Sequence, residues 1–134
     1  MKPEVGIGVF VHNASGEVLI HKRKNIIGNG TWALPGGKLE FNETIEQCAK
    51  REAKEECDVE IKNVKVLGIT EDFFTVENRH FITIFVDSEL ASGEAKIMEP
   101  EKASELSWVS LDNLPSPLFL PLKNFAEGKR YPHG

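Results

Sequence analysis

The sequence predicts an α/β fold in which helices cover both faces of a mixed β-sheet. Most of the 134 residues fall into short, apolar, β-prone segments separated by turn-forming residues. One long stretch in the middle of the chain has helical periodicity, and a shorter helical stretch lies near the C-terminus. Because no repeat, linker or low-complexity stretch divides the chain, we expect one domain over residues 1–134.

The N-terminal third is predicted to consist mainly of strands. Residues 5–11 and 18–20 are apolar and flank a turn sequence, which predicts a β-hairpin. Residues 32–34 form a short apolar strand that ends at a Pro-Gly-Gly sequence. A further short strand is predicted at residues 38–41.

The central helix is predicted to run from about residue 43 to residue 57. Asn42 is a suitable N-cap, and Glu43 would lie favourably in the first turn, near the positive end of the helix dipole. Asp58 follows the last helical residue, where a left-handed backbone conformation commonly ends a helix.

The second half of the chain is predicted to return to strands, at residues 59–69, 72–76, 80–86 and 105–109. We expect a turn at residues 77–79 and a polar loop over residues 89–102. A terminal helix is predicted over residues 118–126, followed by a frayed tail from residue 128 to residue 134.

The central helix carries carboxylates on its packing side. At about 100° per residue, its apolar residues share one side, namely Ile45, Cys48, Ala49, Ala53 and Cys57. Glu52 and Glu56 fall in the middle of that side, and Glu55 falls at its edge. Because buried unpaired carboxylates cost several kcal/mol each, the helix could be rotated, basic side chains could neutralise the glutamates, or a divalent cation could bind among them.

Composition limits the classes of function. The net charge of -5 disfavours sequence-independent binding to a nucleic-acid polymer. No apolar run approaches the roughly 20 residues of a membrane span, and no signal peptide is evident, so we expect a cytoplasmic protein that does not bind membranes. The spacing of Cys48 and Cys57 fits neither a zinc site nor a disulfide, which predicts reduced core residues.

The stretch from Gly37 through Glu43 to residues 51–59 resembles the Nudix box, G-x5-E-x7-R-E-U-x-E-E-x-G-U, in which U is aliphatic. Every charged position is present at the right spacing, and Asp58 departs from the pattern by replacing its glycine. The resemblance implies the Nudix fold, an α/β/α sandwich with a mixed β-sheet, often assembled as a homodimer. Because position 58 ends a helix and does not bind metal, the departure leaves the expected chemistry intact.

The same resemblance implies how the box works. Mg2+, with Mn2+ as a substitute, would be held by Glu52, Glu55, Glu56 and the backbone carbonyl of Gly36. Within the catalytic group, Glu52 would orient or deprotonate the attacking water beside Glu55. Arg51 would orient the box through an ion pair with Glu43, and Gly37 would be structural.

Other segments imply further site residues. Family members commonly recruit an additional acid from the loop before the last strand, and here Glu101 is favoured over Glu99. Arg23, Lys38 and Lys102 are candidates for phosphate contacts. Candidates for the base-binding site are Phe81, Thr83, Phe119 and Leu120.

Segments such as TWALPGGKLEFNET and MEPEKASELSWV resemble the MutT-type nucleoside triphosphate diphosphatases. The resemblance implies Mg2+-dependent hydrolysis of a nucleoside triphosphate, including a modified or deoxy nucleotide, to nucleoside monophosphate and pyrophosphate. Another nucleoside-diphosphate-linked substrate or an isoprenoid diphosphate is the alternative. Residues 73–77 lack the proline typical of ADP-ribose hydrolases and the tyrosine typical of dinucleoside polyphosphate hydrolases. A non-catalytic Nudix-fold sensor is disfavoured because all box glutamates are present.

Overall fold

The computed structural model of the protein describes residues 1–133. Its strands are β1 (Glu4–His12), β2 (Val18–Arg23), β3 (Trp32–Ala33), β4 (Gly36–Lys38), β5 (Glu60–Phe74), β6 (Arg79–Ser92) and β7 (Ala103–Val109). Its helices are α1 (Ile45–Cys57) and α2 (Leu120–Ala126), with a 3-10 turn at Leu111–Asn113. Within residues 1–133, neither helix is long and apolar enough to cross a membrane.

All seven strands belong to one mixed sheet, as predicted. Five of them follow the order β3-β2-β1-β6-β5, while β4 pairs with β1 and β7 pairs with β2. The β1–β6 pairing is parallel and the others are antiparallel. The predicted hairpin is confirmed only at its turn, because β1 and β2 pair at His12 and Val18 and then separate. Beyond that point β1 lies between β6 and β4, and β2 no longer pairs with it. The cavity described below lies over this part of β1 and β4.

The two faces of the sheet bury different cores. Ile7, Val9 and Val11 alternate along β1 and pack in one cluster with the apolar side of α1. Phe10 points to the other face, where it packs in a second cluster with Leu122 of α2. Helices therefore lie on both faces, and the predicted α/β/α sandwich is confirmed.

Helix α1 begins two residues later than predicted. Thr44, not Asn42, is the N-cap: its hydroxyl accepts from the Gln47 N–H at 3.0 Å, and the Gln47 side chain accepts from the Thr44 N–H at 2.9 Å. This reciprocal capping box satisfies two backbone donors at once. The predicted end is confirmed, since Asp58 adopts a left-handed conformation with φ 57°.

Several other boundaries were predicted wrongly. Strand β5 is continuous through residues 70–71, and β6 runs to Ser92, into the predicted loop, because pairing with β5 continues from Ile61–Leu90 to Glu60–Ser92. The short strand lies at residues 36–38 and not at 38–41. The C-terminal segment is not frayed throughout, because the backbone of Tyr131 exchanges two hydrogen bonds with Ile69, at 2.8 and 2.9 Å.

The two cysteines are buried free thiols, as predicted. Burial raises the pKa of each thiol to about 12. They therefore behave as small apolar residues on the buried side of α1.

Candidate active site

A cavity of about 480 Å³ opens between α1, the sheet and the start of α2. Four acidic side chains line it: Glu52, Glu55, Glu56 and Glu99. Four basic side chains line it as well: Arg23, Lys38, Arg79 and Lys102. Its apolar part is formed by Phe74, Phe81, Phe85, Phe119 and Leu122. The cavity thus combines charged and aromatic groups. We call the part lined by Glu52, Glu55, Glu56 and Glu99 its charged end, and the part lined by Phe74, Phe81 and Phe119 its aromatic end.

Among the carboxyl groups of the cavity, that of Glu56 has the most strongly shifted pKa. Its Oε1 accepts a hydrogen bond from the Gly36 N–H at 2.7 Å. Burial, reinforced by the charges of Glu52 and Glu99, nevertheless raises the pKa of Glu56 to about 8. The protein therefore supplies too few positive or hydrogen-bonding groups to offset the negative charge of an ionised Glu56.

Arg51 organises the first half of the box. Its Nε and Nη2 donate to the two carboxylate oxygens of Glu43, at 2.6 and 3.0 Å, and Nη2 also donates to the Lys38 carbonyl at 3.1 Å. Its Nη1 lies 2.6 Å from Glu52 Oε1. The guanidinium holds the pKa of Glu43 down at about 2, and the hydrogen bond to Glu43 in turn raises the pKa of Arg51. The arginine therefore ties the loop before α1 to the carboxylate in the middle of the buried helix face.

Burial raises the pKa of Glu52 despite its contact with Arg51. The charges of Glu55 and Glu99 act in the same direction. Glu52 lies with its carboxylate against Gly37, at the junction between β4 and the helix face. The two glutamates predicted in the middle of the packing side thus both face the cavity: Glu52 is buried, and Glu56 is half-buried.

Within residues 1–133, no three His, Cys, Asp or Glu side chains are already gathered as a set of metal ligands. Arg51 holds Glu52, and the Gly36 N–H holds Glu56. The donor chemistry nevertheless fits a hard divalent cation, because two carboxylates of raised pKa, those of Glu52 and Glu56, line one cavity together with Glu55. The predicted ligands are therefore brought to one place, with the Gly36 backbone beside them.

The loop before β7 contributes a different acid from the one predicted. Glu99 lines the cavity, and its charge acts on both Glu52 and Glu56. Glu101 is exposed and is not among the cavity-lining residues. The structure thus places Glu99 and not Glu101 at the cavity, because the chain turns tightly here: the Glu99 carbonyl accepts from the N–H groups of Lys102 and Ala103, at 2.9 and 3.1 Å.

All three residues predicted to contact phosphates, Arg23, Lys38 and Lys102, line the cavity. The Arg23 guanidinium lies 3.9 Å from the centre of the Phe119 ring, and its Nε donates to the Ile27 carbonyl at 2.8 Å. Burial lowers the pKa of Arg23 to about 10, so it stays cationic near neutral pH. Lys38 Nζ lies 2.7 Å from Glu4, which competes with a substrate for this ammonium.

Sequence reasoning missed Arg79 and Glu4. Arg79 donates to both carboxylate oxygens of Glu4, at 2.8 and 2.9 Å, and its guanidinium lies 4.9 Å from the Phe81 ring centre. The pair depends on the parallel register of β1 and β6, which brings residue 4 opposite residue 81. No local pattern signals a contact between residues so far apart in sequence.

The aromatic end contains three of the four residues predicted for base binding. Phe81, Thr83 and Phe119 line the cavity, and Phe74 joins them with ring centres 5.8 Å from Phe81 and 5.6 Å from Phe119. Leu120 is not a lining residue. Because α2 begins at Leu120, the next helical residues, Pro121 and Leu122, line the cavity in its place.

An α/β/α sandwich in which carboxylates from one helix line a cavity together with aromatic side chains is typical of a class of hydrolases that cut acid anhydrides. The chain belongs to the Nudix family: the family model for the NUDIX domain matches residues 2–131. Members generally use divalent metal ions such as Mg2+. The protein is thus a Nudix hydrolase.

The chain is similar to an ADP-ribose pyrophosphatase of Methanocaldococcus jannaschii, with 31% identity over all of this chain and 78% of the relative. It is 27% identical to an NAD-capped RNA hydrolase NudC of Pseudomonas putida over 84% of this chain, but it spans only 39% of that relative. A crystal structure of a MutT NUDIX hydrolase from Burkholderia pseudomallei has a TM-score of 0.87 and 30% identity, covering 95% of this chain and 98% of the other.

Proposed function

We propose that the protein hydrolyses a nucleoside triphosphate to a nucleoside monophosphate and pyrophosphate, with Mg2+ bound by Glu52, Glu55 and Glu56. The observation that carries this proposal is the cavity itself, which places these carboxylates beside an aromatic pocket. The charged end suits a diphosphate bridged by a cation, and the aromatic end suits a base. The similarity to a MutT NUDIX hydrolase over nearly the whole chain supports it.

The carboxylates at the charged end have different proposed roles. Bound Mg2+ supplies charge screening of the phosphates and a lowered pKa for an attacking water. Glu52 would orient the attacking water or accept its proton, since the Glu52 carboxylate is buried in the middle of the helix face. Glu55, Glu56 and the Gly36 carbonyl complete the ligand set, and Glu99 takes the place that Glu101 was predicted to occupy.

Arginine and lysine side chains hold the phosphates. Arg23 is fixed between Phe119 and the Ile27 carbonyl, so little side-chain entropy is lost when it binds an anion. Lys38 exchanges Glu4 for a phosphate oxygen. Arg51 acts through Glu52 and Glu43 as a positioning residue.

ADP-ribose is the second candidate substrate. The relative that is 31% identical over this entire chain is named an ADP-ribose pyrophosphatase. Hydrolysis of ADP-ribose gives AMP and ribose 5-phosphate and no pyrophosphate, whereas the proposed hydrolysis of a triphosphate releases pyrophosphate. The two candidates are therefore separable by their products.

The test is a panel of the common ribo- and deoxynucleoside triphosphates, 8-oxo-dGTP, ADP-ribose and an isoprenoid diphosphate, each with Mg2+ and with Mn2+. We expect pyrophosphate and a monophosphate from a triphosphate, with the highest kcat/KM in the panel. A higher kcat/KM for ADP-ribose, with ribose 5-phosphate as product, would replace the first candidate by the second. Turnover unaffected by removal of divalent cations would contradict the metal assignment.

The homodimer remains a prediction from the resemblance, and the cytoplasmic location remains a prediction from the sequence, in which no signal peptide or membrane span is evident. Light scattering on the eluted protein tests the first directly: a mass near twice 15.0 kDa is expected. A mass of one chain at micromolar concentration would contradict the dimer.

A further inference from the structure

A buried carboxylate lies behind the aromatic end of the cavity, and the proposed chemistry does not use it. Asp72, on β5, is 0% exposed. Its Oδ2 accepts a hydrogen bond from Thr83 Oγ1 at 2.6 Å, and its Oδ1 accepts from Asn124 Nδ2 at 3.0 Å. Both partners are uncharged, and a buried carboxylate held by uncharged partners is costly compared with an apolar residue of similar size.

Thr83 connects this carboxylate to the cavity. Asp72 pairs with Phe81 across the two strands, so Asp72, Phe81 and Thr83 share one face of the sheet. Thr83 and Phe81 both line the cavity. Residue 6 is glycine, and a Cβ there would make ordinary contacts of 3.6 Å with Thr83 Oγ1 and 3.7 Å with Phe81 Cδ1, so its absence leaves room for an atom beside the hydroxyl. A ligand atom can therefore reach the Thr83 hydroxyl next to an aromatic ring.

The hydrogen bond to Asp72 fixes the polarity of this hydroxyl. A hydroxyl has one hydrogen to donate and two lone pairs that accept, whereas an ionised carboxylate only accepts. The Thr83 hydrogen is consequently given to Asp72, and lone pairs remain for the cavity. We infer that Asp72 makes Thr83 an obligate hydrogen-bond acceptor, so that the cavity selects nucleotides whose base presents an N–H group at this point.

Asn124 holds Asp72 in the required orientation. Its Nδ2 donates to Asp72 Oδ1 and also approaches the Glu71 carbonyl at 3.4 Å, which leaves Oδ2 directed at Thr83. Asn124 lies on α2, the helix that begins directly after Phe119. Asp72 is therefore a positioning residue that joins the sheet, the helix and the hydroxyl. This inference rests on the proposed function, because it assumes that the aromatic end binds a base.

The variant D72N should change the Thr83 hydroxyl from a hydrogen-bond acceptor to a hydrogen-bond donor towards the cavity. The amide donor of Asn124 would take the new carbonyl oxygen as its acceptor, and the new NH2 group would then face Thr83 and donate to its oxygen. The Thr83 hydrogen would be released towards the cavity. T83V removes the hydroxyl at almost constant volume, and T83S keeps it.

The experiment measures calorimetric Kd values for nucleoside monophosphates in pairs that differ at one N–H group: GMP against IMP, GMP against 1-methyl-GMP, and AMP against purine riboside monophosphate. Monophosphates bind without being hydrolysed. Wild type and T83S should favour the N–H member of at least one pair about ten-fold or more. D72N should abolish or invert that preference, and T83V should bring it near one. Should D72N fail to fold, the T83V and T83S comparison decides.

Two results would overturn the inference: equal binding of both members of every pair by wild type, or a preference that D72N and T83V leave unchanged. Measuring kcat/KM for the matching triphosphates separates this inference from the proposed function. The predicted Kd pattern without triphosphate turnover would reject the proposed function alone. Turnover without the pattern would reject the role of Asp72 alone, and neither binding nor turnover would reject both.

Discussion

The carboxylate of Glu52 fills the space that a side chain at Gly37 would need. A Cβ on Gly37 would lie 2.5 Å from the Glu52 carboxyl carbon and within 2.7 Å of both carboxylate oxygens. The first and the central positions of the Nudix box are thus in direct contact, and the glycine allows the carboxylate to approach the backbone. Residue 37 of the box must therefore lack a side chain, because the Glu52 carboxylate packs directly against its backbone.

We expect G37A to displace Glu52 while leaving the fold intact, because the clash is with the end of a flexible side chain. kcat/KM should fall about 100-fold, since misplacing a catalytic group by an ångström has effects of that order. The control is a double-mutant cycle with E52A. If G37A acts through Glu52, the double variant should be no worse than E52A alone, and independent multiplicative losses would contradict the steric explanation.

Replacing Arg51 should affect activity through the residues that it orients. R51K cannot make the forked contact with Glu43 and reach Glu52 as well, so kcat/KM should fall about 10- to 100-fold, as for other residues that support metal ligands. K50Q, which removes only the exposed ion pair with Glu46, is the matched control. Similar activity in both variants would show that the Arg51 network is dispensable.

Glu99 and Glu101 form a natural pair for a test of the loop before β7. E99Q removes a charge from the cavity, whereas E101Q removes one from an exposed position two residues away. kcat/KM should fall about ten-fold or more for E99Q, as expected for loss of a metal-assisting or proton-transferring carboxylate, and should remain close to wild type for E101Q. The reverse order would restore the assignment made from sequence.

His21 should make stability depend on pH. Burial, with a contribution from the Arg23 charge, lowers the pKa of His21 from 6.5 to about 4. Between these values the unfolded chain binds the proton more readily than the folded chain, so this contribution to stability is complete above pH 6.5 and is lost as pH falls towards 4. A shift of this size corresponds to about 3 kcal/mol.

The comparison of wild type with H21L isolates that contribution, because other titrating groups act on both proteins. Urea unfolding at pH 7.5, 5.5 and 4 should show H21L gaining stability relative to wild type as the pH falls. Parallel stability profiles for the two proteins would contradict the lowered pKa of His21.

Most residues of the charged end could be predicted from the sequence, but only some of those of the aromatic end. Glu52 and Glu56 lie on a single helix, where the spacing of residues alone determines which of them share a face. Asp58 was readable for the same reason, as a local helix end. Such features depend on short-range geometry, which periodicity encodes.

Features that depend on distant pairing were not readable. The contact of Arg79 with Glu4 requires the parallel register of β1 and β6, and the bond of Asp72 with Asn124 requires α2 to dock on β5. The choice between Glu99 and Glu101 depends on one tight turn. In each case many sequence-compatible arrangements exist, and packing of the whole chain selects among them.

The central claim is that the carboxylates of α1 perform metal-dependent hydrolysis, and kcat/KM of E56Q in the presence of Mg2+ tests it most directly. Glutamine keeps the size of the side chain and an oxygen for the Gly36 N–H but removes the charge. E60Q, at an exposed glutamate paired with Lys54, is the control and should match wild type. We predict a loss of at least about 100-fold for E56Q with an unchanged fold. Turnover of E56Q within a factor of about two of wild type would contradict the claim.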